Sequence, residues 1–188
     1  MFPLLRLDVL AALAVSAATL FVTYSDPEET SKPVTTRPTA TSPTLTPFLW
    51  FESNAEEAAK FYCSIFPNSK VTKSTPQLVE FTLNGRSFMA LNGGPHYRLT
   101  AAYSTFVACE DQAEVDRYWD ALLAGGGKPT QCGWLEDRFG VSWQIIPKRL
   151  MELLEHRDAA TRKRATDAMM KMIKIDVAEL ERAVAAKR

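Results

Sequence analysis

The chain has 188 residues, 46% of them hydrophobic, and 22 Lys and Arg balance 22 Asp and Glu. That much apolar material buries a core, so disorder of the whole chain is excluded. Zero net charge argues against a strongly basic nucleic-acid binder. Only one long uncharged run exists, which excludes a polytopic membrane protein.

The neutral total conceals a division. Residues 1–46 carry −1, residues 47–147 carry −3, and residues 148–188 carry +4. Val9 to Tyr24 is a run of 16 uncharged residues. A spanning helix needs about 20, and a secretory hydrophobic region needs about 7–15. Residues 1–24 therefore read as a signal-like or anchor-like leader, or as an amphiphilic tail. Any membrane contact of the protein would go through them. Thr, Pro and Ser fill 15 of the 23 positions from Ser25 to Pro47. Such a stretch buries nothing and lacks a donor at each proline, so residues 25–46 read as a disordered linker.

The body, residues 47–147, contains an internal repeat. Phe48-Leu-Trp-Phe-Glu-Ser-Asn54 lies over Thr105-Phe-Val-Ala-Cys-Glu-Asp111 at an offset of 57. Each copy opens on an apolar run and reaches a helix cap, Asn54 or Asp111, with Glu57 or Glu114 three residues on. That is capping-box spacing. The copies end alike, with Asn84-Gly-Arg-Ser-Phe-Met89 over Phe139-Gly-Val-Ser-Trp-Gln144 at an offset of 55. Between cap and end, strand-like runs cover 78–83 and 87–91 in the first copy, and 131–135 and 142–146 in the second. Asn84-Gly85 is a hairpin signal. The unit reads β-α-β-β-β, twice. The fold class expected is α+β: two βαβββ modules forming a curved eight-stranded sheet with a ligand cleft, followed by C-terminal helices.

The phrases PFLWFESNAEEAAKFYCSIFPNSKV, LNGGP, CGWLEDRFGVSWQI and MMKMIKIDVAELERA resemble the PhnB-like branch of the vicinal oxygen chelate superfamily, which includes glyoxalases, antibiotic-resistance binders and dioxygenases. That branch carries a demethylubiquinone methyltransferase-type label. The resemblance spans about residues 46–184 and implies a homodimer. It also implies a divalent metal held by side chains from the first and last strands of each module.

The residues here do not suit that metal. The first-strand positions fall at Pro47 or Phe48 and at Ser104 or Thr105, and the last-strand positions at Met89 and Gln144. Of these, Gln144 alone is a good oxygen donor, whereas such sites need converging His or carboxylate ligands. The chain has two histidines, His96 between the modules and His156 in the tail. No metal and no cofactor are expected.

Inward strand positions nominate Trp50, Asn92, Trp134, Ser142 and Gln144 as ligand-binding residues, a set of rings and amides suited to a flat or apolar small molecule. Glu52 is a general base if burial raises its pKa, or a solvated strand-end carboxylate. His96 is a second acid–base candidate. Asn92-Gly93-Gly94 either offers amides to an anion or is a plain connector. Methyl transfer from a nucleotide donor is not supported, because Gly125-Gly126-Gly127 follows a helix rather than a strand. The function expected is binding of a small organic molecule in the inter-module cleft without a metal. The alternative is a metal-dependent lyase or dioxygenase of the same superfamily. Cys63, Cys109 and Cys132 read as buried thiols that fit a reducing, cytoplasmic setting, whereas the leader points towards export or anchoring.

The tail, residues 148–188, reads as helices. Leu150, Leu153 and Leu154 form one stripe, and Ala165, Met169, Met172 and Ile173 another. Such stripes are core or interface, and the flanking basic residues are a solvated face.

Overall fold

A computed structural model describes residues 44–186. The leader and residues 25–43 of the linker lie outside the described residues. No helix among the described residues is long and apolar enough to cross a membrane.

Module 1 runs β1 (Phe48–Phe51), α1 (Ala55–Ile65), β2 (Lys70–Ser74), β3 (Leu78–Leu83) and β4 (Arg86–Asn92). Module 2 runs β5 (Ser104–Cys109), α2 (Gln112–Leu123), β6 (Lys128–Pro129), β7 (Trp134–Glu136) and β8 (Ser142–Pro147). Hydrogen bonds join them into two four-stranded sheets, β1-β4-β3-β2 and β5-β8-β7-β6. The first and last strands of each module pair in parallel and the rest antiparallel. The expected α+β fold with two βαβββ modules is therefore present. The β3–β4 hairpin turns at Asn84 and Gly85, both with positive φ, as a tight two-residue turn requires.

Register refines the repeat. Phe48 lies opposite Met89, and Phe106 lies opposite Gln144. Strand β1 therefore matches β5 one residue later than the offset of the caps suggests. The runs expected over 131–135 also change. Gln131 to Gly133 form a turn, and β7 starts at Trp134. Cys132 and Gly133 take left-handed φ values there. Their amides donate to Met172 O and Ile173 O of the tail, so a long-range contact replaces a ladder.

The caps also differ. Asp111 accepts from the Glu114 amide at 2.9 Å, and the Glu114 carboxylate accepts from the Glu110 amide at 3.0 Å. Asn54 makes no side-chain cap on α1. The Ala55 amide instead donates to Asn92 Oδ1 at 2.9 Å, so the end of β4 caps α1 from a distance. Glu57, freed from that role, pairs with Arg138 of module 2 at 3.1 Å.

Both helices lie between the sheets. Leu49, Phe51, Val79, Phe81, Phe88 and Ala90 of sheet 1 share one core with Leu135, Trp143 and Ile145 of sheet 2. The joint is aromatic. Tyr62 and Phe66, at and just beyond the end of α1, contact Trp143 of β8 at 5.2 and 5.3 Å between ring centroids. Phe66 also stacks on Tyr118 of α2 at 5.1 Å. Burial of this many rings drives the association of the modules. The faces of both sheets turned away from α1 and α2 then point outward, the tail covering the Ile146 end of sheet 2, and β1 and β5 are left as edges, as are β2 and β6.

Asp137 fixes the module 2 side of the joint. Its Oδ1 accepts from the amides of Phe139 and Val141, and its Oδ2 from Trp143 Nε1 at 2.8 Å. Burial holds this carboxyl above the usual carboxylate range, although those donors pull it down. The fully buried Tyr62 hydroxyl lies beside it, short of hydrogen-bonding geometry. Burial first, and then the Asp137 charge, push the Tyr62 phenol well up.

The tail forms α3 (Lys148–Leu154), α4 (Ala159–Met169) and α5 (Val177–Ala185). Leu150, Leu153, Ala165, Met172, Ile175 and Leu180 make a second core that takes in Ile146 from the outer face of β8. Ile173, expected in the stripe, is 56% exposed, and Ile175 takes the buried place. Gln112 of α2 ties the tail down, donating to Ile175 O and accepting from the Val177 amide.

Asp137→Ala leaves three buried donors without an acceptor, so we expect a loss of about 3 kcal/mol in urea unfolding. A raised folded-state pKa means the folded state holds this proton more tightly than the unfolded chain. Ionisation of Asp137 therefore costs stability as pH rises from about 4 through the folded value. The urea midpoint of the wild type should fall relative to that of Asp137→Asn across that window. Parallel pH profiles would contradict the assignment.

Candidate functional site

The pleat sets which residues face outward. On sheet 1 one outer row runs Phe48, Met89, Glu80 and Lys73, and the next runs Trp50, Leu91 and Leu78. On sheet 2 the rows run Phe106, Gln144 and Trp134, then Ser104, Ser142 and Glu136. Alternation explains this. Val79, Phe81 and Leu83 face the helices, so Leu78, Glu80 and Thr82 do not. Met89 and Gln144 thus occupy equivalent places, as do Phe48 and Phe106.

The vicinal oxygen chelate resemblance would put metal ligands at these four positions, with Phe106 in place of the expected Ser104 or Thr105 because the register of β5 against β8 is one residue later. They present two phenyl rings, a thioether and a carboxamide. A hard divalent ion needs several oxygen or imidazole donors, so this donor set does not fit one. The Gln144 amide nitrogen is already committed, donating to Ser104 Oγ at 2.8 Å. Its carbonyl oxygen is left to accept. Among the described residues, no group of three or more His, Cys, Asp or Glu is arranged to hold a metal.

The predicted residues separate into groups. Trp134, Ser142 and Gln144 share the outer face of sheet 2, with Ser142 buried and the others half-buried. Trp50 and Glu52 go elsewhere. The Trp50 indole turns towards the connector, donates from Nε1 to Gly94 O at 2.9 Å and meets Tyr97 edge-on at 5.0 Å. Glu52 is exposed and lies beside it in a cavity of about 440 Å³, lined also by Tyr97, Arg98, Glu136, Arg138 and Phe139. Asn92 is occupied structurally, accepting from Ala55 and donating to Pro76 O at 2.9 Å. His96 is exposed on the connector and does not line that cavity.

The amides of Asn92-Gly93-Gly94 are spoken for as well. Gly93 N donates to Phe51 O and Gly94 N to Glu52 O, extending the β1–β4 pairing. The anion-binding reading of these amides therefore fails. Gly93 has a different necessity. A β-carbon there would sit 2.2 Å from the Trp50 ring, so only glycine lets the indole lie against the chain.

Sequence reasoning missed Glu80, Lys73, Tyr97 and Arg98. Glu80 was legible as the polar residue in an alternating run, and it pairs with Lys73 at 3.6 Å on the outer face. Nothing local marks Tyr97 or Arg98, which reach the cavity through the connector's path. The thiols offer no activated nucleophile. Burial raises all three, Cys109 to about 12.

The model of the 3-demethylubiquinone-9 3-methyltransferase family matches residues 43–146. The chain belongs to that family. A PhnB protein from Bacillus cereus, described as a 3-demethylubiquinone-9 3-methyltransferase, is 32% identical with a TM-score of 0.50. The match covers 56% of this chain and 99% of that one. Protein PA1353 from Pseudomonas aeruginosa is 20% identical with a TM-score of 0.47, over 56% of this chain and 98% of that one. The fosfomycin resistance protein FosX from Listeria monocytogenes, solved with Mn(II) and sulfate, is 18% identical with a TM-score of 0.46. That match covers 63% of this chain and 100% of FosX. No curated protein matches the chain. The PhnB-like resemblance read from the sequence therefore holds.

Gly93→Ala should lower stability by roughly 1–3 kcal/mol, because the indole must move. A 5-fluorotryptophan signal assigned to Trp50 should shift in this variant. An unmoved signal and unchanged melting would sink the close-contact reading.

Proposed function

We propose that the protein is a homodimer that binds a small organic molecule without a metal ion. The cleft would be closed by the outer face of sheet 1 of one copy and the outer face of sheet 2 of a second. The edges at β1 and β5 carry this reading. Strands β1 and β5 bear Phe48 and Phe106 at matching repeat positions, 54% and 46% exposed. An unpaired apolar edge invites another strand. Placing β1 of one copy beside β5 of the other would continue the two sheets into the curved eight-stranded sheet. The exchange is reciprocal, so it closes after two chains.

The chemistry of the two faces supports the ligand class. Trp134 supplies a ring face, while Ser104, Ser142 and Gln144 supply hydroxyl and amide groups. From the other copy, Met89 and Leu91 bring apolar contact and Glu80 a carboxylate. A flat, largely apolar molecule with one or two polar substituents fits such walls. Glu80 is the group best placed to move a proton on that molecule if a reaction follows binding.

Methyl transfer finds no support in these residues. The turns from β1 to α1 and from β5 to α2 contain no glycine. A nucleotide-type donor would need such a loop between strand and helix.

Light scattering should give a mass near twice the 21.0 kDa chain. Phe106→Asp should yield a folded monomer, because it places a charge in the apolar joint. A wild-type monomer at tens of micromolar would defeat the dimer.

A thermal-shift screen of small organic molecules should find a binder that raises the melting temperature, since binding only to the folded state stabilises it. Gln144→Ala should cut that shift substantially. Stoichiometric iron, zinc, nickel or manganese in the purified protein would overturn the metal-free reading.

A further inference from the structure

The cavity of about 440 Å³ beside Trp50 is not part of the sheet-face cleft. It lies within one chain, where β1, the connector and the β7–β8 turn meet. Its volume falls in the usual range of small-molecule sites.

Its Trp50 wall is prearranged. Trp50 is held by its bond to Gly94 O and by the bare backbone of Gly93. Tyr97 stands at 88° to it, so two rings form a right-angled corner. Phe139 adds a third ring. The Trp50 ring, fixed in advance, loses little freedom on binding, and the exposed Tyr97 ring beside it favours a flat guest.

Its charges are of two kinds. Arg138 is already paired. Its guanidinium lies over Phe61 and Phe139 at 4.6 and 4.7 Å, and bonds Glu57. Arg98 has no ion-pair partner among the described residues and faces the same space. A free guanidinium is a two-donor fork for a carboxylate. Glu52 and Glu136 also line the cavity without an ion-pair partner. They are acceptors for N–H or O–H groups.

We propose that this cavity is a second binding site, for an aromatic carboxylate that also bears an amino or hydroxyl group. The ring would lie in the Trp50–Tyr97 corner and the carboxylate would bond Arg98. The amino or hydroxyl group would donate to Glu52 or Glu136. A plain anion would leave the rings unused and face two carboxylates. A plain aromatic would leave Arg98 unmatched. The combined ligand satisfies all three features.

The test uses the full chain labelled with 5-fluorotryptophan, each signal assigned by a Trp→Phe variant. We expect 4-aminobenzoate to shift the Trp50 resonance, and benzoate or aniline to bind several-fold more weakly. Arg98→Ala should weaken 4-aminobenzoate tenfold or more, while Arg98→Lys should recover part of the loss. Gln144→Ala and the monomeric Phe106→Asp variant should bind it normally, so this site stands or falls apart from the dimer cleft. No Trp50 shift at millimolar ligand would overturn the proposal. So would an equal response in Arg98→Ala, or a shift confined to Trp134.

Discussion

A carboxylate that is 2% exposed must find donors inside the protein or make the fold unstable. Asp137, the one buried charged side chain among the described residues, finds three. Two are amides of its own turn and the third is the Trp143 indole. The bonds to the amides set the path from β7 to β8, and the bond to the indole sets the Trp143 ring. That ring is the surface on which Tyr62 and Phe66 from module 1 pack. The relation between the modules therefore depends on a hydrogen-bonded charge at the base of an aromatic joint. Arg138, next in the chain, extends the joint by lying over Phe61 and Phe139 and pairing with Glu57.

That joint decides which sheet faces stay open. Because α1 and α2 are consumed between the sheets, the opposite faces are left to solvent or to a partner, except where the tail packs on Ile146. The repeat then makes two separate sheet faces within one chain rather than one closed cleft, and each face carries different chemistry. Sheet 1 brings apolar rows with the Glu80–Lys73 pair. Sheet 2 brings Trp134 with hydroxyl and amide groups. In the proposed dimer, a second copy supplies the face that complements each half. The intrachain cavity has another origin. It forms where the connector crosses from one module to the other, and its residues come from segments too short and irregular to show a pattern.

Much of the fold was legible in the sequence because its signals are local. Asn84-Gly85 turns a hairpin, Asp111 caps α2 with Glu114 answering, and alternation in 78–83 marks β3. The misses share a cause. Asn54 looks like a cap, yet the Ala55 amide goes to Asn92, 37 positions beyond Ala55. Residues 131–133 look like a strand, yet the tail's carbonyls at Met172 and Ile173 capture their amides. In both places a partner distant in sequence outcompeted the local one. Among site residues, Ser142, Gln144 and Trp134 were nominated by strand parity, and they do share a face. Trp50 has the right parity as well, but its indole follows Gly94 O towards the connector. Tyr97 and Arg98 had no periodic signal to reveal them.

The sequence by itself determined the duplicated βαβββ plan, the family, and a donor set poor in metal ligands. These depend on residue type and on spacing along the chain. Only the tertiary structure decided that the modules join through their helices, that β1 and β5 are left as free edges, and that Trp50 and Arg98 share a cavity. Those outcomes depend on which apolar faces bury one another. That choice is made by contacts such as Tyr62 with Trp143, far apart in sequence, and no local pattern encodes it.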